Sequence, residues 1–197
     1  MDKVYVIGRD PVPSLLRLDS PQELRLTFVA LPGACGKVSV EVDIDSAGCS
    51  LDMAGLYLCS SDEQLGFDVL VCHNCGGSVS RQNFRGLVGG TARAAFNGLI
   101  YVAPGAQKTR ASQESHAILL GNKATVKAQP QLEIYADDVE CTHGCTSGFL
   151  SDDELFYMRS RGIPEQEARR LQKIAFIAPV ASRLPEDLAE QVYASIA

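Results

Sequence analysis

Residues 38–44 alternate cleanly, with Val38, Val40, Val42 and Ile44 on one face and Ser39, Glu41 and Asp43 on the other. Successive side chains of a strand point to opposite faces, so this run of β-branched residues reads as a half-buried strand. Residues 131–135 alternate in the same way, Leu132 and Ile134 against Glu133 and Tyr135. Weaker strand patterns occupy residues 4–7 and 24–29, separated by a Pro-containing polar loop. Short apolar segments then recur at 56–59, 67–72, 87–88, 92–96, 99–102, 117–120 and 124–128, punctuated by Gly, Asn, Ser or Asp.

Strands this short and evenly spaced predict a sandwich, a barrel or a β-solenoid. No helical crossover fits between them. If the sheets are parallel, that absence favours a β-helix, whose turns stack at ~4.8 Å and bury a continuous apolar interior. Recurrences near Phe96-Asn97-Gly98 and Leu119-Leu120-Gly121 fit turns of roughly twenty-odd residues.

At Ser151 the alternation stops. Ser151-Asp152-Asp153-Glu154 is a capping box, and its acids suit the positive end of a helix dipole. A first helix runs on through Leu155, Phe156 and Met158 until Gly162 closes it. Pro164 opens a second, with Ala168, Leu171, Ile174, Ala175 and Ala178 at helical spacing. A third starts at Pro185 and carries Leu188, Val192 and Ile196. The expected organisation is a β core over residues 1–150 and a helical segment over 151–197. Such amphipathic stripes either pack on the body of their own chain or present a docking platform to another protein.

A chain of 197 residues buries a real core. Its net charge of -6 supplies no basic stripe for phosphates, which argues against nucleic-acid and membrane-surface partners. No apolar run approaches the ~20 residues of a spanning helix, and MDKVYVIGRD has neither signal-peptide nor transit-peptide character. Seven cysteines without an export signal predict free thiols in a reduced, cytoplasmic protein.

The most reactive side chains gather at the border between strand and helix patterns. Cys141, His143 and Cys145 are two apart, so an extended chain presents all three on one face. Cys141 and Cys145 would lie about 13 Å apart there, too far for one metal with bonds of roughly 2.0–2.3 Å unless Gly144 bends the chain. One or two of them can contribute to a shell that another protein completes; the competing reading makes both cysteines small buried hydrophobes. Cys72-His73-Asn74-Cys75 forms a zinc knuckle only if a tight turn brings its sulfurs together, for example with Cys141 and Cys145 as the other pair. Asp137, Asp138 and Glu140 are hard ligands for iron or a solvated turn. Neither a P-loop nor a G-x-S-x-G elbow is present.

The stretch QLEIYADDVECTHGCTSGFLSDDELFYMRSRGIPEQEAR, residues 131–169, resembles the closing segment of the SufB/SufD family, scaffold proteins of Suf-type iron–sulfur cluster assembly, and specifically its SufD branch. SRQNFRGLVGGTARAAFNGLIYVAPGAQKT, residues 80–109, is similar to the family's middle region. The resemblance covers roughly residue 71 to the C-terminus and implies a right-handed parallel β-helix with helices at its ends. It also implies a non-catalytic scaffold that pairs with a SufB-like protein or with itself and docks the SufC ATPase. Docking falls on Leu155, Phe156, Tyr157, Arg159, Arg161, Gly162, Ile163 and Pro164. His143 occupies the position of the histidine implicated in cluster or iron handling at the subunit interface, and Cys141 that of the motif's cysteine. A functional cysteine of SufB aligns with Ser115, so the resemblance implies a thiolate from the partner and an imidazole from this side. No cofactor is then held stably; iron or an iron–sulfur cluster is shared transiently. No family role carries to Cys145 or to residues 72–75, where Gly76-Gly77 replaces the usual Pro-His. The family plan has a long N-terminal half before the β-helix, so a short form is expected. The alternative from another class is a β-solenoid enzyme acting on carbohydrate or acyl groups through Asp137, Asp138, Glu140 or His143.

Overall fold

A computed structural model describes residues 1–196. Eleven strands come first: β1 (Asp2–Val6), β2 (Leu15–Leu18), β3 (Glu23–Ala30), β4 (Gly36–Ile44), β5 (Ser50–Cys59), β6 (Gln64–His73), β7 (Val79–Val88), β8 (Arg93–Val102), β9 (Arg110–Leu119), β10 (Thr125–Ile134) and β11 (Glu140–Gly148). Three helices follow: α1 (Asp152–Ser160), α2 (Glu165–Ala181) and α3 (Glu186–Ala194). Odd strands form one sheet in the order β1-β3-β5-β7-β9-β11, and even strands the other, β10-β8-β6-β4-β2. All pairings are parallel, so the chain winds from sheet to sheet as a β-solenoid, which removes the sandwich and barrel alternatives.

Ser50 lies beside Val79, Val79 beside Arg110 and Arg110 beside Glu140. Each turn therefore advances by about 30 residues, more than the twenty-odd expected, because a turn holds one long strand from each sheet. Segments 92–96 and 99–102 are a single strand, β8, running through Asn97-Gly98. Likewise β10 passes through Pro130. Proline lacks an N–H for the ladder and is tolerated there because β10 is the outermost strand of its sheet. The loop read around residue 15 contains the four-residue strand β2.

Parallel register stacks equivalent residues into columns. One column is Phe28, Gly55, Phe84 and Ser115; the next is Leu26, Met53, Gln82 and Gln113. Phe67, Phe84 and Phe96 meet across the interior with ring centroids 5.4 and 4.6 Å apart. Glycines make room for the largest rings. A Cβ on Gly55 would run into the Phe84 ring, and one on Gly86 into Tyr57. Between β5 and β6 the buried Glu63 carboxylate accepts from the N–H groups of Gly33, Ser60 and Ser61 at 2.8–3.2 Å. Burial alone would raise its pKa, but these donors outweigh it and hold the carboxyl below the usual range.

Ser151 caps α1 by accepting from Glu154 N–H at 3.3 Å. The reciprocal half of the capping box is not made, since Glu154 instead accepts from Gln172 Nε2 at 3.0 Å. Gly162 closes α1 with φ +85°. Pro164 and Pro185 stand as N-caps rather than first helical residues. Ile177, Val180, Ala181, Leu188, Val192 and Ile196 pack on Val29, Ala54, Leu56, Leu58 and Leu87, the outer face of the odd sheet. Arg183 fastens this layer by donating to Asp52 Oδ1 and to its carbonyl at 2.9 and 3.0 Å. Arg85 donates to the Phe176 carbonyl at 2.9 Å with its guanidinium over the Phe176 ring.

Gly55→Ala is expected to cost about 1–3 kcal/mol, because the added methyl must displace a fully packed ring. At Gly144 an added Cβ meets nothing within 4 Å, so Gly144→Ala should change stability by no more than about 0.5 kcal/mol. Urea unfolding of the two variants checks both values.

Candidate functional site

The interior columns change character along the solenoid. In β3 and β5 they hold Leu24, Leu26, Phe28, Leu51 and Met53. In β7 and β9 they still hold Phe84 and Ala111, but also buried Ser80, Gln82, Gln113 and Ser115. In β11 the same columns end on Cys141, His143 and Cys145, level with Ala111, Gln113 and Ser115. The strand is unbroken from Glu140 to Gly148, so Gly144 does not bend the chain and Thr142 lies within a strand rather than in a turn. The three side chains therefore share the inner face without converging on one point. No further strand covers them among the described residues, since β10 and β11 are the last strands of their sheets. Cys141 is half-buried, and His143 and Cys145 are exposed. Burial pushes the Cys141 thiol up, against a smaller opposing effect of the Ala111 backbone. The facing wall is apolar: Val126, Ala128, Pro130 and Leu132 of β10, all half-buried.

Behind His143 lies a polar string. Gln113 Nε2 donates to Gln82 Oε1 at 3.0 Å, leaving Gln113 Oε1 and Gln82 Nε2 buried without partners. The Gln113 amide lies against Gly98 of the even sheet, in space that a Cβ there would occupy. Deeper in, His73 Nε2 and Ser80 Oγ share a hydrogen bond of 2.8 Å.

The cysteine pairs expected to be able to build a zinc site lie apart. Cys72 is level with Asp43 and Tyr101 on the even sheet, whereas Cys141 is level with Ala111 on the odd one. Cys75 Sγ donates to the Asp45 carbonyl at 3.0 Å. Glu41, Asp43 and Cys72 do offer donor atoms within 4.8 Å of one another, a cluster that only strand pairing brings together. Burial, then Asp43 and Glu41, push the Cys72 thiol up to about 11, so it is protonated at neutral pH. Asp138 pairs with Lys108 at 3.2 Å and Glu140 with Arg110 at 3.3 Å, both at the surface.

On the helices, Phe156 is 75% and Tyr157 60% exposed. Arg161 sits over the Tyr157 ring, and Arg159 pairs with Glu165 at 3.3 Å. Gly162 and Pro164 are exposed and Ile163 is half-buried, but Leu155 is only 4% exposed and faces inward. A groove of about 960 Å³ beside them is lined by Ile118, Phe149, Tyr157, Met158 and Leu171 among others. Phe149, 61% exposed, escaped the sequence reading because nothing in its local pattern separates a surface aromatic from a core one.

Residues 16–176 match the family model described as SUF system FeS cluster assembly, SufBD core domain. The chain belongs to the SufB/SufD family. It is 38% identical over 167 residues to the iron-sulfur cluster assembly protein SufD of Escherichia coli, covering 84% of this chain and 40% of that protein. It is 30% identical over 173 residues to the chloroplastic protein ABCI7 of Arabidopsis thaliana, covering 87% of this chain and 36% of that one. With SufD of Bacillus subtilis it shares 41% identity over 100 residues, 51% of this chain and 23% of the relative. The chain thus spans well under half the length of these relatives.

In this SufB/SufD solenoid His73 is fully buried, and desolvation lowers its pKa to about 4. Below pH ~6.5 a histidine of the unfolded chain binds a proton that folded His73 refuses. Stability contributed by neutral His73 is therefore lost as pH falls from 6.5 towards 4, by up to on the order of 3 kcal/mol. His73→Gln, which cannot titrate, should show a visibly shallower loss across that window. Urea midpoints at pH 7, 5.5 and 4.5 measure it, and equal slopes would exclude His73 as the source.

Proposed function

We propose that the chain is a non-catalytic scaffold subunit of iron–sulfur cluster assembly, working in the reduced cytoplasm. The uncovered end of the solenoid pairs with a SufB-like protein or with a second copy, and the helices dock a SufC-like ATPase. The observation that carries this reading is His143: an imidazole at the β11 end of an interior column, exposed where no further strand covers it among the described residues. A lone exposed imidazole with a half-buried thiol two residues away is an incomplete shell for iron, and thiolate ligands are supplied from across the interface. Iron or the nascent cluster is cargo here, held briefly between subunits and released to acceptors. The unpaired edges of β10 and β11 add backbone donors and acceptors that a partner strand satisfies.

Asp138 and Glu140 line a surface pocket, but each is ion-paired there, with Lys108 and Arg110, so the solenoid-enzyme reading is not favoured. ATPase docking is assigned to the outward side of α1 and its turn: Phe156, Tyr157, Arg159, Arg161, Gly162 and Pro164, with Ile163 at the margin. Leu155 supports that surface from beneath. Deleting the helices is a poor test, because α2 and α3 share a core with the odd sheet.

Phe156→Glu is expected to abolish ATPase binding in a light-scattering or pull-down assay while leaving the melting temperature unchanged. Undiminished binding would move the docking surface elsewhere. His143→Ala should slow cluster assembly by the complex at least tenfold without loss of pairing or ATPase binding, followed by anaerobic visible absorption. Assembly at the wild-type rate would remove His143 from the mechanism.

A further inference from the structure

Resting on the reading of His143 just given, we propose that Gln113 is a positioning residue for His143, and that Gln82 in turn holds Gln113. Three observations lead there. Gln113 and Gln82 occupy the same interior column as His143 on consecutive odd strands, so all three point into the solenoid. Gln113 is 0% exposed, yet its Oε1 has no hydrogen-bond partner. Its amide is held from two sides, by the 3.0 Å bond to Gln82 and by the space that Gly98 leaves open.

An amide oxygen buried without a donor costs about 1–3 kcal/mol. A neighbour that relieves this cost is favoured, most of all once a second subunit covers β11 and excludes water. Donors on the adjoining rung are limited. Pro130, level with Gly98 on the facing wall, has no N–H. Cys141 and Cys145 offer only weak S–H donors. His143, one rung of ~4.8 Å away on the same face, has a ring N–H.

That bond has a chemical consequence. A neutral imidazole carries one N–H and one lone pair, and the acceptor that takes the N–H decides which nitrogen keeps the lone pair. With Gln113 Oε1 accepting from His143, the other ring nitrogen faces the interface unprotonated, ready to ligate iron. Outer partners of this kind change metal affinity or activity by about 10–100-fold when removed. The sequence alone does not suggest the pairing, because Gln82, Gln113 and His143 are brought together only by the solenoid's register.

The test uses the full chain paired with the partner that binds across β11. The chain has three histidines, so long-range ¹H–¹⁵N correlation resolves the His143 tautomer directly. Wild type should show a single tautomer, and Gln113→Met, close in length and shape, a mixture of both. Gln82→Met, which frees the Gln113 amide to rotate, should fall between them. Ferrous iron alone, titrated anaerobically, should bind about 10–100-fold more weakly to the Gln113→Met complex, with unchanged melting temperature and pairing. An unaltered tautomer and unaltered iron affinity in Gln113→Met overturn the positioning role even if His143→Ala still blocks assembly. If His143→Ala leaves assembly intact, or no second chain pairs across β11, the reading of His143 falls and this inference falls with it.

Discussion

Parallel register is the constraint from which the rest follows. Once Ser50, Val79, Arg110 and Glu140 lie level on successive odd strands, every interior position is fixed in a column with its counterparts above and below. Filling a column is then a problem of complementary sizes. Phe84 fits because Gly55 beneath it has no Cβ, Tyr57 because Gly86 above it has none, and Gln113 because Gly98 faces it. Interiors packed to the density of organic crystals leave no slack for a methyl at such places.

A stack of identical rungs has no intrinsic way to stop. At its last turn it leaves a strand edge unpaired and an interior rung uncovered, and both costs fall on β10 and β11. Here the last rung carries Cys141, His143 and Cys145 where earlier rungs carry Leu, Met and Phe. The polar change begins two strands earlier, at Ser80 and Gln82, so the reactive end is prepared from within. Buried polar groups must be partnered, and the Gln82–Gln113 bond satisfies only one side of each amide. Both amides lie on the column that ends in His143.

The helices solve a different problem. The odd sheet has an apolar outer face, Val29, Ala54, Leu56, Leu58 and Leu87, which α2 and α3 cover, clipped in place by Arg183 and Arg85. Covering that face leaves α1 projecting, and its aromatics Phe156 and Tyr157 stay in solvent. One sheet thus supports both proposed interfaces, the uncovered rung at its end and the helical surface beside it.

Much of this was legible in the chain itself. Alternation at Val38–Ile44, the cap at Ser151 and the glycine stop at Gly162 are local signals; the cap and the stop act through contacts within a few residues, whereas the strand is completed by pairing with β2 and β6. The absence of helical crossovers favoured a solenoid, and the two-residue spacing of Cys141, His143 and Cys145 placed them on one face. Turn length is hidden in the sequence because Asn97-Gly98 and Pro130 look like breaks, whereas a strand in a stacked sheet carries through them: Gly98 accommodates Gln113, and Pro130 lies on an edge. Exposure of Phe156 beside burial of Leu155, and the convergence of Gln82, Gln113 and His143 on one column, were decided only by tertiary structure. The physical reason is separation: residues about 30 apart along the chain become neighbours ~4.8 Å apart across parallel strands, and no local pattern records which of them will meet.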